Sequence, residues 1–176
     1  MATAEELMRA EGLVVDYLDI DFGSRVIKIP SSIQNLGVES DDDTKRLFFR
    51  MPREYGEFDL YDFKIRINYT NADGYEDYFP VVDASVVGEK IVFSWLVGRY
   101  AYTSRGTVEF AICLKKLNNS YEVVKELNTT VARLPVLRGM EGSARVAQQN
   151  PDIIEYLLGN MSRPSNEQVQ DAVDQY

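Results

Sequence analysis

Apolar and polar residues alternate through most of the first 137 positions, and the alternation has period two. That period predicts strands with one buried face. In Leu13–Phe22, Leu18, Ile20 and Phe22 fall on one side and Tyr17, Asp19 and Asp21 on the other. Gly23-Ser24 predicts a turn, and Arg25–Ile29 a short return strand stopped by Pro30. Leu47, Phe49 and Met51 form a second apolar set, and Phe63, Ile65, Ile67 and Tyr69 a third. The polar loop between them holds Pro52 and Gly56, so the stretch Lys45–Tyr69 reads as a hairpin. Its outer face would carry Arg46, Arg50, Lys64 and Arg66. Asn71-Ala72-Asp73-Gly74 is a turn signal, since Asp and Gly tolerate the left-handed backbone such turns need. Tyr75–Asp83 returns as an edge strand interrupted by Pro80. Ile91, Phe93, Trp95 and Val97 mark a core strand, and Val108, Phe110, Ile112 and Leu114 another. Leu117–Ser120 turns the chain into a last return, Tyr121–Leu134, closed by Pro135.

About eight short strands separated by turn signals predict a mainly β protein, an antiparallel β-sandwich. No βαβ alternation appears, which argues against a parallel sheet. The character changes after Leu137. Gly139–Gly142 reads as a hinge, and Pro151 suits the first turn of a helix. Ile153, Ile154, Leu157, Leu158 and Met161 make an apolar stripe. Ser165 with Gln168 forms a capping box for a second helix, on which Val169, Ala172, Val173 and Tyr176 share a face. The expected organisation is an arm over residues 1–11, a sandwich over 12–137, a linker over 138–150 and a helical segment over 151–176. The stripe is still running where the sequence ends, which favours a piece of a longer protein over a terminal helix that docks on a partner.

Composition narrows the chemistry. The 176 residues hold 19 Lys and Arg against 28 Asp and Glu, a formal charge of −9. Such a balance is poorly suited to a phosphate backbone, so no nucleic-acid partner is expected. There is no histidine, which removes the commonest general base and metal ligand. The single cysteine, Cys113, lies in an apolar run and reads as a small buried hydrophobe. No signal peptide and no membrane-length apolar run is evident, so the expectation is a protein that is neither exported by that route nor membrane-bound. No catalytic residue, metal ligand or cofactor is expected.

The acidic run Glu39–Asp43 lacks the spacing of a calcium loop and reads as a solvated loop. Glu57 and Asp59 could be imagined as a glycosidase pair, but proximity in sequence does not place two carboxylates across a cleft. Four strings match the N-glycosylation acceptor, among them Asn128-Thr129-Thr130, and read as chance matches. Tyr55, Tyr61, Tyr69, Tyr75, Tyr78, Tyr100 and Tyr102 form a tyrosine-rich set. These rings could anchor a protein interface, cap the core with wet hydroxyls, or stack on sugars.

Several strings carry a resemblance: Ile29-Pro30, Leu36–Asp43 (LGVESDDD), Phe49–Arg53 (FRMPR), Ile65–Tyr69 (IRINY) and Phe93–Arg99 (FSWLVGR). Asn128-Thr129-Thr130 and Val136–Glu141 (VLRGME) complete it, with a departure at Arg138, where an acidic residue is expected. From about Leu13 to Glu141 the chain resembles tail-associated proteins of phages and prophages of Gram-positive gut bacteria. It is similar in role to the N-terminal domain of the phage baseplate upper protein family. The resemblance implies a non-enzymatic virion structural protein, made in the bacterial cytoplasm, whose β-domain docks on other tail or baseplate proteins. A helical stalk would lead to a distal, receptor-binding part. It makes Arg46, Arg50, Lys64 and Arg66 a candidate docking face and Tyr100 and Tyr102 candidate contacts. Ile154, Leu157, Leu158, Val169 and Val173 become candidate contacts of a homo-oligomer, with a trimer favoured. The alternative is a carbohydrate-binding module reading cell-surface glycans through Tyr100 and Tyr102.

Overall fold

The computed structural model describes residues 2–11 and 16–140, and the protein is mainly β. The predicted contacts at Ile154, Leu157, Leu158, Val169 and Val173, and the helices that carry them, lie outside the described residues. The chain divides into two units, Met1–Gly139 and Met140–Tyr176.

One α-helix, two short 3-10 helices (Leu60–Asp62 and Arg99–Tyr102) and thirteen strand segments are present among the described residues. The α-helix and the first strands are α1 (Ala4–Glu11), β1 (Tyr17–Asp21), β2 (Val26–Lys28), β3 (Gly37–Val38), β4 (Lys45–Pro52), β5 (Glu54–Tyr55) and β6 (Phe58–Asp59). β7 (Lys64–Thr70), β8 (Glu76–Pro80), β9 (Ser85–Val87), β10 (Lys90–Val97), β11 (Gly106–Leu117), β12 (Val123–Asn128) and β13 (Ala132–Leu137) follow. A five-stranded sheet runs β2-β1-β4-β10-β9. A six-stranded sheet runs β3-β13-β11-β7-β8, with β12 pairing with β11 beyond the end of β13. Both sheets turn apolar side chains into one core cluster. Leu18, Ile20, Leu47, Phe49, Ile91, Phe93 and Trp95 come from the first sheet, and Ile65, Ile67, Val108, Phe110, Ile112 and Leu114 from the second. The inward sets read from the alternation are the ones buried here.

The expected Lys45–Tyr69 hairpin does not form. β4 pairs with β1 and β10, whereas β7 pairs with β11 and β8 in the other sheet. Each strand has the alternation expected of it, but alternation reports which face is buried and not which strand lies alongside. The purely antiparallel expectation is also corrected, because β1–β4 and β3–β13 are parallel. Both parallel pairings arise from the stretch after β2, which crosses to the six-stranded sheet as β3 and returns as β4. Pro135 does not close the last strand but sits inside β13, and its carbonyl accepts from Leu36 N at 2.9 Å.

Residues 2–11 carry a helix. Thr3 and Glu6 form a reciprocal capping box, Glu6 N to Thr3 Oγ1 at 3.2 Å and Thr3 N to Glu6 Oε2 at 3.3 Å, which starts α1. Ala4 and Leu7 then pack on Phe48 and Val92, on the face of the five-stranded sheet turned away from the main core. That contact explains why the apolar runs Leu47-Phe48-Phe49 and Ile91-Val92-Phe93 are continuous. Strands buried on both faces need not alternate.

Candidate interaction surfaces

Three surfaces hold the described candidate residues. The first is the outer face of the five-stranded sheet. Arg50 donates from Nε to Asp19 Oδ1 at 2.7 Å and from Nη2 to Asp19 Oδ2 at 3.0 Å, and its guanidinium lies 4.5 Å from the Tyr17 ring centroid. The Arg50 hydrogen bond holds the Asp19 carboxyl below the usual range, against a smaller opposing effect of desolvation. Arg46 Nη1 donates to Ser94 Oγ at 2.8 Å, and the Ser94 hydroxyl donates onward to the buried Asp83 carboxylate. Asp83 also accepts from Ser94 N at 3.0 Å, and its carbonyl accepts from Ala4 N at 3.0 Å. Arg46 and Arg50 therefore serve internal partners rather than a single free basic face. Lys64 and Arg66 belong to the other sheet, so the four cations do not form one docking surface.

The second surface is the end of the β-domain where the acidic run lies. Its carboxylates are not merely solvated. Glu39 accepts from Gly139 N at 2.9 Å through Oε1 and from Arg105 N at 3.2 Å through Oε2. Asp41 Oδ2 accepts from Val38 N at 2.9 Å, and Asp42 accepts from Arg99 N at 2.9 Å and Arg99 Nη2 at 3.2 Å. Backbone N–H groups that would otherwise lack partners at strand ends are thus satisfied by carboxylates. Gly139 has no room for a side chain, since a Cβ would lie 2.8 Å from Val38 Cγ1 and 3.0 Å from Glu39 O. The two tyrosines of this end part company. Tyr100 is exposed, as a contact residue must be. Tyr102 is 0% exposed and donates its hydroxyl to Leu36 O at 2.9 Å, so it is a core residue and not a contact or sugar platform. Burial pushes its phenol well above the ordinary value. Tyr69 is likewise buried, with its hydroxyl on Asp77 Oδ2 at 3.1 Å.

The third surface is the outer face of the six-stranded sheet, and strand register sets it out in rows. Pro80, Arg66, Cys113 and Asn128 lie abreast across β8, β7, β11 and β12. The next row is Tyr78, Asn68 and Ala111, and the one after it is Glu76, Thr70, Glu109 and Arg133. The middle row lacks a fourth member because the chain between β12 and β13 leaves the ladder at Thr129. There the Thr129 hydroxyl accepts from Ile112 N at 2.9 Å in place of a strand neighbour. A small residue beside a break leaves a groove of about 560 Å³ over Ala111, walled by Tyr78 and Val131. Arg66 lies 4.9 Å from the Tyr78 ring centroid, and Arg133 pairs with Glu109 at 3.0 Å. Cys113 is buried, as expected, but on this face rather than with Ile112 in the core. Desolvation raises its thiol pKa, which leaves it a weak nucleophile.

The other sequence candidates are placed simply. Asp59 binds Arg53 at 3.0 Å and accepts from Tyr61 N at 3.1 Å, a local structural role. Among the described residues no group of three or more acidic or cysteine side chains is arranged to hold a metal ion. In the sequence Asn68 and Thr70 stand out only as the chance glycosylation match Asn68-Tyr69-Thr70, and Glu109 and Ala111 carry no motif. Their outward positions are legible from alternation, but their meeting depends on a register between strands far apart in the chain. Compared with known proteins, the chain matches no family model and no curated protein.

Proposed function

We propose that the chain is a non-enzymatic structural protein of a phage tail or baseplate. In this reading the two sheets form a β-sandwich that docks on other tail proteins. The C-terminal segment leads to a distal, receptor-binding part and assembles the chain as a homo-oligomer, a trimer in the simplest case. The observation that carries the reading is the clamp at Glu39. Strings on which the resemblance rests lie up to 100 residues apart, yet Leu36–Asp43, the end of Phe93–Arg99 and the start of Val136–Glu141 meet at one end of the β-domain. There they fix Gly139, the last residue of the first unit, by a carboxylate and a close-packed backbone. A held residue at the edge of the β-domain suits a module that carries another part.

Purified virions of the phage or induced prophage that encodes the chain provide the test. Mass spectrometry of intact tails should detect peptides from residues 16–140 at a copy number divisible by three, and light scattering on the full chain should give an oligomer mass. Absence from tails rejects the virion role, and a monomer rejects the oligomer.

A further inference from the structure

The groove over Ala111 lies apart from the clamp and from the paired cations of the five-stranded sheet. We propose that it is a binding site for a neutral saccharide, with a sugar ring lying over Ala111 against the Tyr78 side chain. Its volume of about 560 Å³ falls in the range usual for small-molecule sites, about 300–1,000 Å³. Its chemistry selects among ligands. Glu76, Asp77 and Glu109 line it with Arg66, and Arg133 pairs with Glu109 at its edge, which gives −3 + 2 = −1. Such a lining offers no surplus of positive charge to phosphates, acidic sugars or nucleic acid. The floor is polar at Asn68 and Thr70, so a purely apolar ligand would strand hydrogen-bonding groups.

A neutral sugar meets each feature. Tyr78 is 55% exposed, and with Arg66 stacked upon it the ring is braced while much of its surface stays open to the C–H face of a pyranose. Asn68 beside Ala111 offers an amide that both donates and accepts, and Thr70 a hydroxyl that does the same. Glu76 and Glu109 flank Thr70 in one row, about 10 Å apart across two strand spacings. That row lies about 7 Å along the strands from the Tyr78 row, so the carboxylates can accept from hydroxyls of a ring stacked there. Arg133 holds Glu109 in place by its ion pair.

An array of neutral and anionic oligosaccharides, probed with the full chain, finds the ligand, and calorimetric titration with the strongest neutral binder tests the site. Tyr78→Ala should weaken binding at least tenfold. Ala111→Gln, which fills the floor, should abolish it. Both variants should keep the parent's melting temperature, because Tyr78 is on an exposed edge strand and Ala111 faces the groove. Tyr100→Ala should bind as the parent does. The proposal is overturned if no neutral oligosaccharide binds, if anionic ones are preferred, or if binding survives both groove substitutions. Loss on Tyr100→Ala alone would equally overturn it. None of these outcomes bears on whether the chain is found in tails.

Discussion

The outer faces of the two sheets begin from similar strands and end as different surfaces. On the five-stranded sheet, Phe48 and Val92 point outward and are covered by Ala4 and Leu7 of α1, while Arg46 and Arg50 are tied to Ser94 and Asp19. On the six-stranded sheet the outward positions are Arg66, Asn68, Thr70, Glu109 and Ala111, and they border an open groove. The difference is one of cover. A helix laid on a sheet lets large apolar residues face outward, and polar groups buried beside it, here Ser94 and Asp83, find partners within the protein. A face without such cover keeps polar and small residues, and these remain available to a ligand. The same residue type, arginine on an outward strand position, is structural on one sheet and borders a candidate site on the other.

The largest expected effect tests the cover itself. Phe48→Ala removes the ring between α1 and the sheet and should cost about 3–5 kcal/mol in urea unfolding. It should also make residues 2–11 more sensitive to protease. If the loss is below 1 kcal/mol, α1 does not cover this face in solution and the contrast fails. Ser94→Ala comes next, at about 1–3 kcal/mol, because Asp83 loses the hydroxyl that reaches it and Arg46 loses its acceptor.

Acid should separate the faces further. The folded Asp19 pKa is lowered, chiefly by the Arg50 hydrogen bond, so its stabilisation is present above the unfolded value. It is lost as pH falls through about 4 towards the lower folded pKa. The pair is partly open to solvent, with side chains 39% and 44% exposed, so its contribution should stay below about 1 kcal/mol. Melting temperature should therefore fall less steeply below pH 4 in Asp19→Asn than in the parent. Equal slopes would show that the Arg50–Asp19 pair adds nothing. The smallest effect belongs to the open face. Tyr78→Ala should change stability by no more than about 0.5 kcal/mol, as expected of a surface side chain. A larger loss would make Tyr78 a structural residue like Phe48.

Much of this was readable in the sequence. Leu18, Ile20 and Phe22, or Val108, Phe110, Ile112 and Leu114, are buried because a pleated strand turns alternate residues to one side whatever its neighbours are. The β1–β2 turn at Gly23-Ser24 and the turn at Asn71–Gly74 were also legible, since local side-chain and backbone preferences set them. In the latter, Asn71 Oδ1 accepts from Asp73 N at 3.1 Å and Tyr75 N at 3.0 Å. The continuous runs at Leu47–Phe49 and Ile91–Phe93 carried a further signal, a second covered face, that alternation-based reading passes over.

The sequence by itself determined that the protein is built mainly of strands and which side of most of them is buried, because both follow from the covalent geometry of neighbouring residues. Only the tertiary structure decided that β4 and β7 lie in different sheets, that Tyr102 is inside and Tyr100 outside, and that Glu39 reaches Gly139. It also decided that Tyr78, Asn68 and Ala111 share a row. These are pairings between residues far apart in the chain. They depend on register and on which strand lies alongside which, choices that a local pattern of apolar and polar residues does not encode.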